Sequence, residues 1–145
     1  MTGESITAVM TRYNRLWEPG GTQHADEVID PDFIRHGSSG ALRGVAAFVR
    51  YVSHYLEAFP DLAFAVDDWF AARDRLWVRY SFTGTHVRPF MGVAATGRKV
   101  SADGVAIYRV EDHKLVEVWD YLDLFGLAER LGAPLPTIDP EVSLK

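Results

Sequence analysis

The chain has 145 residues, 48% of them hydrophobic, no cysteine, and a formal net charge of −5. That length suits one domain with a real core, and scattered Lys and Arg on an acidic chain exclude nucleic acid as a partner. Without cysteine there are no disulfides, thiolate nucleophiles or cysteine-ligated metals; no apolar run reaches the ~18 residues of a membrane span, and MTGESITAVM has no basic start leading into an apolar stretch, so a cytoplasmic protein is expected.

Ile6, Val9, Met10, Tyr13, Leu16 and Trp17 recur at helical spacing, and Pro19-Gly20-Gly21 ends that first amphipathic helix. A short second helix is expected from about Thr22 to Ile29, broken by Pro31-Asp32, before a brief extended piece, Phe33 to His36, and a Gly/Ser loop. In the third helix Val45, Phe48, Val49, Val52, Leu56 and Phe59 share a face, and Pro60 stops it because proline disfavours helical geometry in the residue before it. Beyond Pro60 the period drops toward two: Leu62, Phe64 and Val66 alternate in one strand, and Val78, Tyr80 and Phe82 in the next. The turn between them is expected at Ala71 to Arg75.

The loop Arg88 to Gly97 leads to a strand around Lys99 to Val110, and Glu111-Asp112-His113-Lys114 turns the chain into a strand Leu115 to Tyr121. Asp123 can cap a last helix carrying Leu124, Leu127, Ala128 and Leu131, with Gly132 terminating it. Residues 133–145, with Pro134, Pro136 and Pro140, look irregular. Helices followed by consecutive strands indicate a single α+β domain over 1–145, its helices on one face of a curved antiparallel sheet. Such a sheet encloses an apolar cavity, a common small-molecule site.

Asp120 follows Val116 and Val118 at the spacing of one strand face, so it looks into that cavity if they do. A carboxylate held among apolar groups has its pKa raised, which suits it to exchange protons near neutral pH; the alternative is an acid that only pairs with an arginine or caps the following turn. No His-x-His pair or Glu-x-x-His helix motif occurs, so no metal is assigned. Gly37-Ser38-Ser39-Gly40 lacks both the lysine of a phosphate loop and the dinucleotide fingerprint, and a nucleophile elbow is absent. No cofactor is expected.

The order Phe59-Pro60-Asp61-Leu62, Gly84-Thr85-His86, Gly92-Val93, Thr96-Gly97-Arg98, Tyr108-Arg109-Val110, Glu117-Val118-Trp119-Asp120 and Leu131-Gly132 resembles the SnoaL-like polyketide cyclases, over roughly residues 5–132. These cyclases belong to the nuclear-transport-factor-2-like superfamily of cone-shaped α+β domains. The resemblance implies a cofactor-independent enzyme of secondary metabolism in which Asp120 is the general acid/base of an intramolecular aldol ring closure on a polycyclic carbonyl compound. The family's histidine two residues before that acid is Val118 here, and a second pocket histidine would fall near Ala106. His36 and His86, at the expected rim of the cone, are the candidates to replace them, whereas His24, His54 and His113 sit at ordinary helix or turn positions.

Tyr13, Trp17, Phe33, Trp69, Phe90 and Tyr108 are the candidate contacts for a flat aromatic ligand. Other members of the superfamily are epoxide hydrolases, dehydratases and isomerases, ketosteroid isomerase among them; a hydrolase would need a second carboxylate, with Asp32, Asp68 and Asp103 available, and an arginine. A non-enzymatic ligand-binding or docking module is the third reading. The resemblance also implies a homodimer through the outward sheet face, with Trp77, Arg79 and Thr83; the lack of a long apolar run argues against a membrane partner.

Overall fold

The computed structural model describes residues 3–135, with side chains from residue 6 onward, so most of the irregular tail expected at 133–145 lies outside the described residues. Helix α1 (Gly3–Arg15) buries Ile6, Val9, Met10 and Tyr13, and Leu16 and Trp17 are buried in the turn that follows. The second helix is shorter than expected. A 3₁₀ turn (Gly21–His24) leads into a single helical turn, α2 (Ala25–Val28), and Ile29 already opens a strand.

Strands β1 (Ile29–Gly37) and β2 (Gly40–Arg43) form an antiparallel hairpin, so the extended piece predicted at Phe33–His36 runs further at both ends. Pro31 falls where the register of β1 slips, between Ile29 and Ile34. A strand tolerates a residue without an N–H at such an irregularity, which is why Pro31 does not break this one. Helix α3 (Val45–Ala58) buries Phe48, Val52, Tyr55 and Ala58, with Phe59 just beyond, while Val49 and Leu56 stay half-buried. Its buried face is therefore rotated toward Tyr55.

Strands β3 (Ala63–Ala72), β4 (Arg75–Thr85), β5 (Lys99–Glu111) and β6 (Lys114–Leu122) form the expected antiparallel meander. Asp112 and His113, both at positive φ, make the two-residue turn between β5 and β6, the geometry that matches the twist of a tight hairpin. The six strands are ordered β2-β1-β6-β5-β4-β3, and β1 runs parallel to β6. The sheet is thus mixed rather than wholly antiparallel. Nothing local in the sequence announces a pairing between strands some eighty residues apart. Helix α1 lies against β3, α3 against β1 and β2, and α4 (Leu124–Arg130) against β5. The Asp123 side chain caps α4 by accepting the Gly126 N–H at 2.9 Å. Among the described residues no helix is long and apolar enough to cross a membrane.

One bulge decides which residues of β6 face inward. Arg109 pairs with Glu117 but Val110 pairs with Leu115, which leaves Val116 unpaired. The extra residue resets the alternation: Val118, Asp120 and Leu122 are buried on one face, and Val116, expected to share it, is half-buried at the bulge.

At the far end of β4, a Cβ on Gly84 would lie 2.8 Å from the Phe59 Cβ, inside a cluster of Phe59, Phe82 and Phe90 rings. Gly84→Ala should cost about 1–3 kcal/mol through overpacking, seen as a lower urea midpoint at unchanged slope; an unchanged midpoint would show that Phe59 moves freely.

Candidate active site

Asp120 sits at the centre of the inner sheet face, opposite Ala106 of β5, which in turn pairs with Val78 of β4. One rung along lies Tyr80, opposite Gly104. With no side chain at 104 in the way, the Tyr80 ring lies over that backbone, and its hydroxyl donates to Asp120 Oδ1 at 2.6 Å. From the other side β1 contributes Arg35. Its Nη2 donates to the Tyr51 hydroxyl at 2.7 Å and lies 3.4 Å from Asp120 Oδ2, with the guanidinium 4.1 Å above the Tyr51 ring. Arg35 and Asp120 are each 5% exposed. Their opposite charges make the burial of either tolerable, since an unpaired charge in this interior would be strongly unfavourable.

Asp120 belongs to the wall of a cavity whose other lining residues include Tyr13, Trp17, Tyr51, Tyr55, Phe64 and Tyr108, together with Tyr80. In this conformation the rings leave a void of ≈ 20 Å³, room for about one water molecule. A polycyclic ligand enters only if some of them turn aside. Trp17, stacked on Phe64 at 6.4 Å, carries a buried Nε1 that faces the Tyr13 hydroxyl without making a hydrogen bond of good geometry to it.

Burial pushes the Asp120 carboxyl above its ordinary value; Arg35 and the Tyr80 hydrogen bond oppose that rise without cancelling it. Burial, and next to it the negative charge of Asp120, drives Tyr80 well above the ordinary phenol range, and burial does the same to Tyr13 and Tyr108. These phenols therefore remain hydrogen-bond donors at any physiological pH, beside a carboxylate poised to take a proton.

The candidate residues separate. Tyr13, Trp17, Tyr108 and Asp120 line the cavity together. His36 is on the opposite face of the sheet, because it is the neighbour of inward-facing Arg35 and successive strand residues alternate; its Nε2 donates to Glu117 Oε2 at 2.7 Å and its ring stacks on Trp119. Burial raises the Glu117 carboxyl, but hydrogen bonds from His36 and Arg109 outweigh it and hold it below its ordinary range.

His86 is fully buried yet away from the cavity. Its Nδ1 accepts the Thr96 N–H at 3.2 Å, which ties down the loop between β4 and β5, and Phe59 packs on both His86 and cavity-lining Phe82. Phe33 is core against Phe48, Phe90 packs on Tyr55 and Phe59, and Trp69 is half-exposed beside a separate groove under α1. Asp32, Asp68 and Asp103 are all exposed, so none joins Asp120. Among the described residues no three His, Cys, Asp or Glu side chains gather to hold a metal ion.

Arg35, Tyr51, Tyr55 and Tyr80 are the site residues that the sequence does not single out. Tyr80 had a visible signal, its alternation with Val78 and Phe82; Arg35 had none, since choosing it over His36 requires knowing which face of β1 turns inward.

A family model described as SnoaL-like polyketide cyclase matches residues 7–131. Aklanonic acid methyl ester cyclase DnrD of Streptomyces peucetius is 28% identical over 89% of this chain and 92% of its own. Aklanonic acid methyl ester cyclase DauD of Streptomyces sp. (strain C5) is 31% identical over 77% of this chain and 68% of its own. The crystal structure of AclR from Streptomyces galilaeus, provisionally called a hydroxylase, is similar with a TM-score of 0.81 and 32% identity over 94% of this chain and all of its own.

A carboxyl whose folded-state pKa lies above its unfolded value of about 3.8 favours the fold most when protonated. Its contribution is therefore greatest below the unfolded value and is lost as pH rises from there through the raised folded value. Urea unfolding across that window should show wild-type protein losing stability with pH relative to Asp120→Asn, which cannot titrate; parallel curves would mean an unperturbed carboxyl.

Proposed function

The chain belongs to the SnoaL-like polyketide cyclase family, and from that premise we propose that it closes a ring of a polycyclic polyketide methyl ester by a cofactor-independent aldol reaction with Asp120 as base. One observation carries the reading: the carboxylate that is alone among the described residues in being buried, its pKa raised, stands in the wall of a cavity otherwise built of aromatic and aliphatic side chains. Asp120 takes the proton from a carbon next to a carbonyl, the resulting enolate attacks a second carbonyl of the same molecule, and the new carbon–carbon bond closes the ring. Trp17 Nε1, a buried donor in the cavity wall without a well-formed hydrogen bond, is placed to donate to a ligand carbonyl. A methyl ester suits this cavity better than the free acid, because a second carboxylate would face Asp120 while Arg35 is already engaged.

The exposed acids speak against the two-carboxylate hydrolase. A docking module is the second reading, favoured by how nearly the rings fill the cone. We further propose a cytoplasmic homodimer through the convex sheet face, where Phe70 and Trp77 stack at 5.8 Å and Val105 and Tyr121 are about half exposed. A contiguous apolar patch of that kind is what a two-fold interface covers.

Asp120→Asn should lower ring closure of aklanonic acid methyl ester by on the order of 10²–10⁴-fold with an unchanged circular dichroism spectrum. The product is read by mass spectrometry: ring closure leaves the mass unchanged, a gain of one oxygen would indicate hydroxylation, and retained turnover would remove Asp120 from the chemistry. In light scattering, Trp77→Glu combined with Val105→Glu should convert a dimer into a monomer; an unaltered mass would place the interface elsewhere.

A further inference from the structure

An aldol closure leaves an alkoxide that must receive a proton, and the nearest inward residues of β5 and β6 around Asp120, Ala106 and Val118, are both buried and neither can titrate. Resting on the cyclase reading above, we propose that Tyr80 is a second catalytic residue, which hands the proton taken up by Asp120 to the nascent alkoxide, and that Gly104 is the positioning residue that lets it do so.

The geometry has two independent parts. The Tyr80 hydroxyl is 2.6 Å from Asp120 Oδ1, and both residues line the same cavity, so the phenol reaches the base and the ligand space at once. Separately, a Cβ at Gly104 would overlap Tyr80 Cζ and its hydroxyl oxygen. Glycine inside a central strand weakens the strand and commonly marks a close approach. Here the approaching group is the phenol, and any side chain at 104 would push it off Asp120.

The proton count closes. While Asp120 is ionised, the Tyr80 O–H is committed to Oδ1. The carboxylate then takes a proton from substrate carbon, and the electrons of that C–H bond become the enolate. Asp120 receives that proton on Oδ1 as the Tyr80 O–H swings about its own C–O bond into the ligand space, so the new carboxyl O–H points at the Tyr80 oxygen and the carboxyl itself does not turn. The enolate carbon bonds to the second carbonyl carbon, whose oxygen becomes the alkoxide. That alkoxide takes the phenol hydrogen as the phenol takes the carboxyl hydrogen, which restores Asp120 as carboxylate and Tyr80 as phenol with nothing gained or lost. Arg35, 3.4 Å from Oδ2, holds the carboxyl from behind throughout.

The relay separates two steps that an ordinary structural role would not. With aklanonic acid methyl ester in D₂O, wild-type protein should exchange deuterium at the acidic carbon and close the ring. Tyr80→Phe fills the same volume and should keep exchange within about 3-fold while ring closure falls on the order of 10²-fold. Gly104→Ala should produce the same split, and thermal melts of both variants confirm the fold. Closure at the wild-type rate in Tyr80→Phe overturns the relay, as does a parallel loss of exchange and closure, which would mean that Tyr80 only holds Asp120. Asp120→Asn run alongside keeps the levels apart: if it still closes the ring, or if wild-type protein neither exchanges nor closes, the cyclase reading itself falls. An inactive Asp120→Asn beside an unsplit Tyr80→Phe overturns the relay alone.

Discussion

The structure depends on keeping one carboxylate inside a shell of aromatic rings. Burying Asp120 costs the hydration of a charge, and the interior answers with two groups from opposite directions, the Arg35 guanidinium from β1 and the Tyr80 hydroxyl from β4. Neither restores the carboxyl to its ordinary value. The residual imbalance leaves a carboxyl that holds its proton more readily than an exposed one. The same logic explains why the arginine sits at 3.4 Å and donates its shorter bond to Tyr51 instead. A tight bidentate pair would hold the acid ionised and inert.

Bringing those three side chains together is a matter of strand register. The bulge at Val116 sets Asp120 on the inner face, and the parallel pairing of β1 with β6 sets Arg35 opposite Val118, two residues along the same face from Asp120. A slip of one residue in either pairing would expose the arginine or the acid and leave its partner buried and alone. Space is arranged by absence as much as by presence: Gly104 leaves room for the Tyr80 ring, and a Cβ on Gly37 would press on the Arg35 guanidinium. These glycines are needed for closeness of approach rather than for an unusual backbone angle.

Aromatic packing has a second consequence. Trp17, Tyr55, Phe64, Phe82 and Tyr80 contact one another in a continuous series of rings, and the void they leave is about the size of a water molecule. The polar members, Arg35, Asp120 and Tyr80, are fixed to each other and provide the stationary end of the site. Meanwhile the outer face of the same sheet has its own polar set, Glu117 with His36 and Arg109, beside the exposed Phe70 and Trp77.

Much of this was written in the sequence. Helical spacing in α1 and α3, period-two alternation from Leu62 onward, the Asp123 cap and the placement of Asp120 within a strand all follow from local chemistry, since each depends on residues a few positions apart. Fold class and the inward acid were therefore legible. What the chain alone did not determine is what depends on contacts distant in sequence: the parallel pairing of β1 with β6, the bulge that moved Val116 off the inner face, and the choice of Arg35 over His36. Neighbouring strand residues point in opposite directions, so a single unit of parity separates a buried counter-ion from a surface histidine. Only the tertiary register fixes that unit, and with it the partners of the acid.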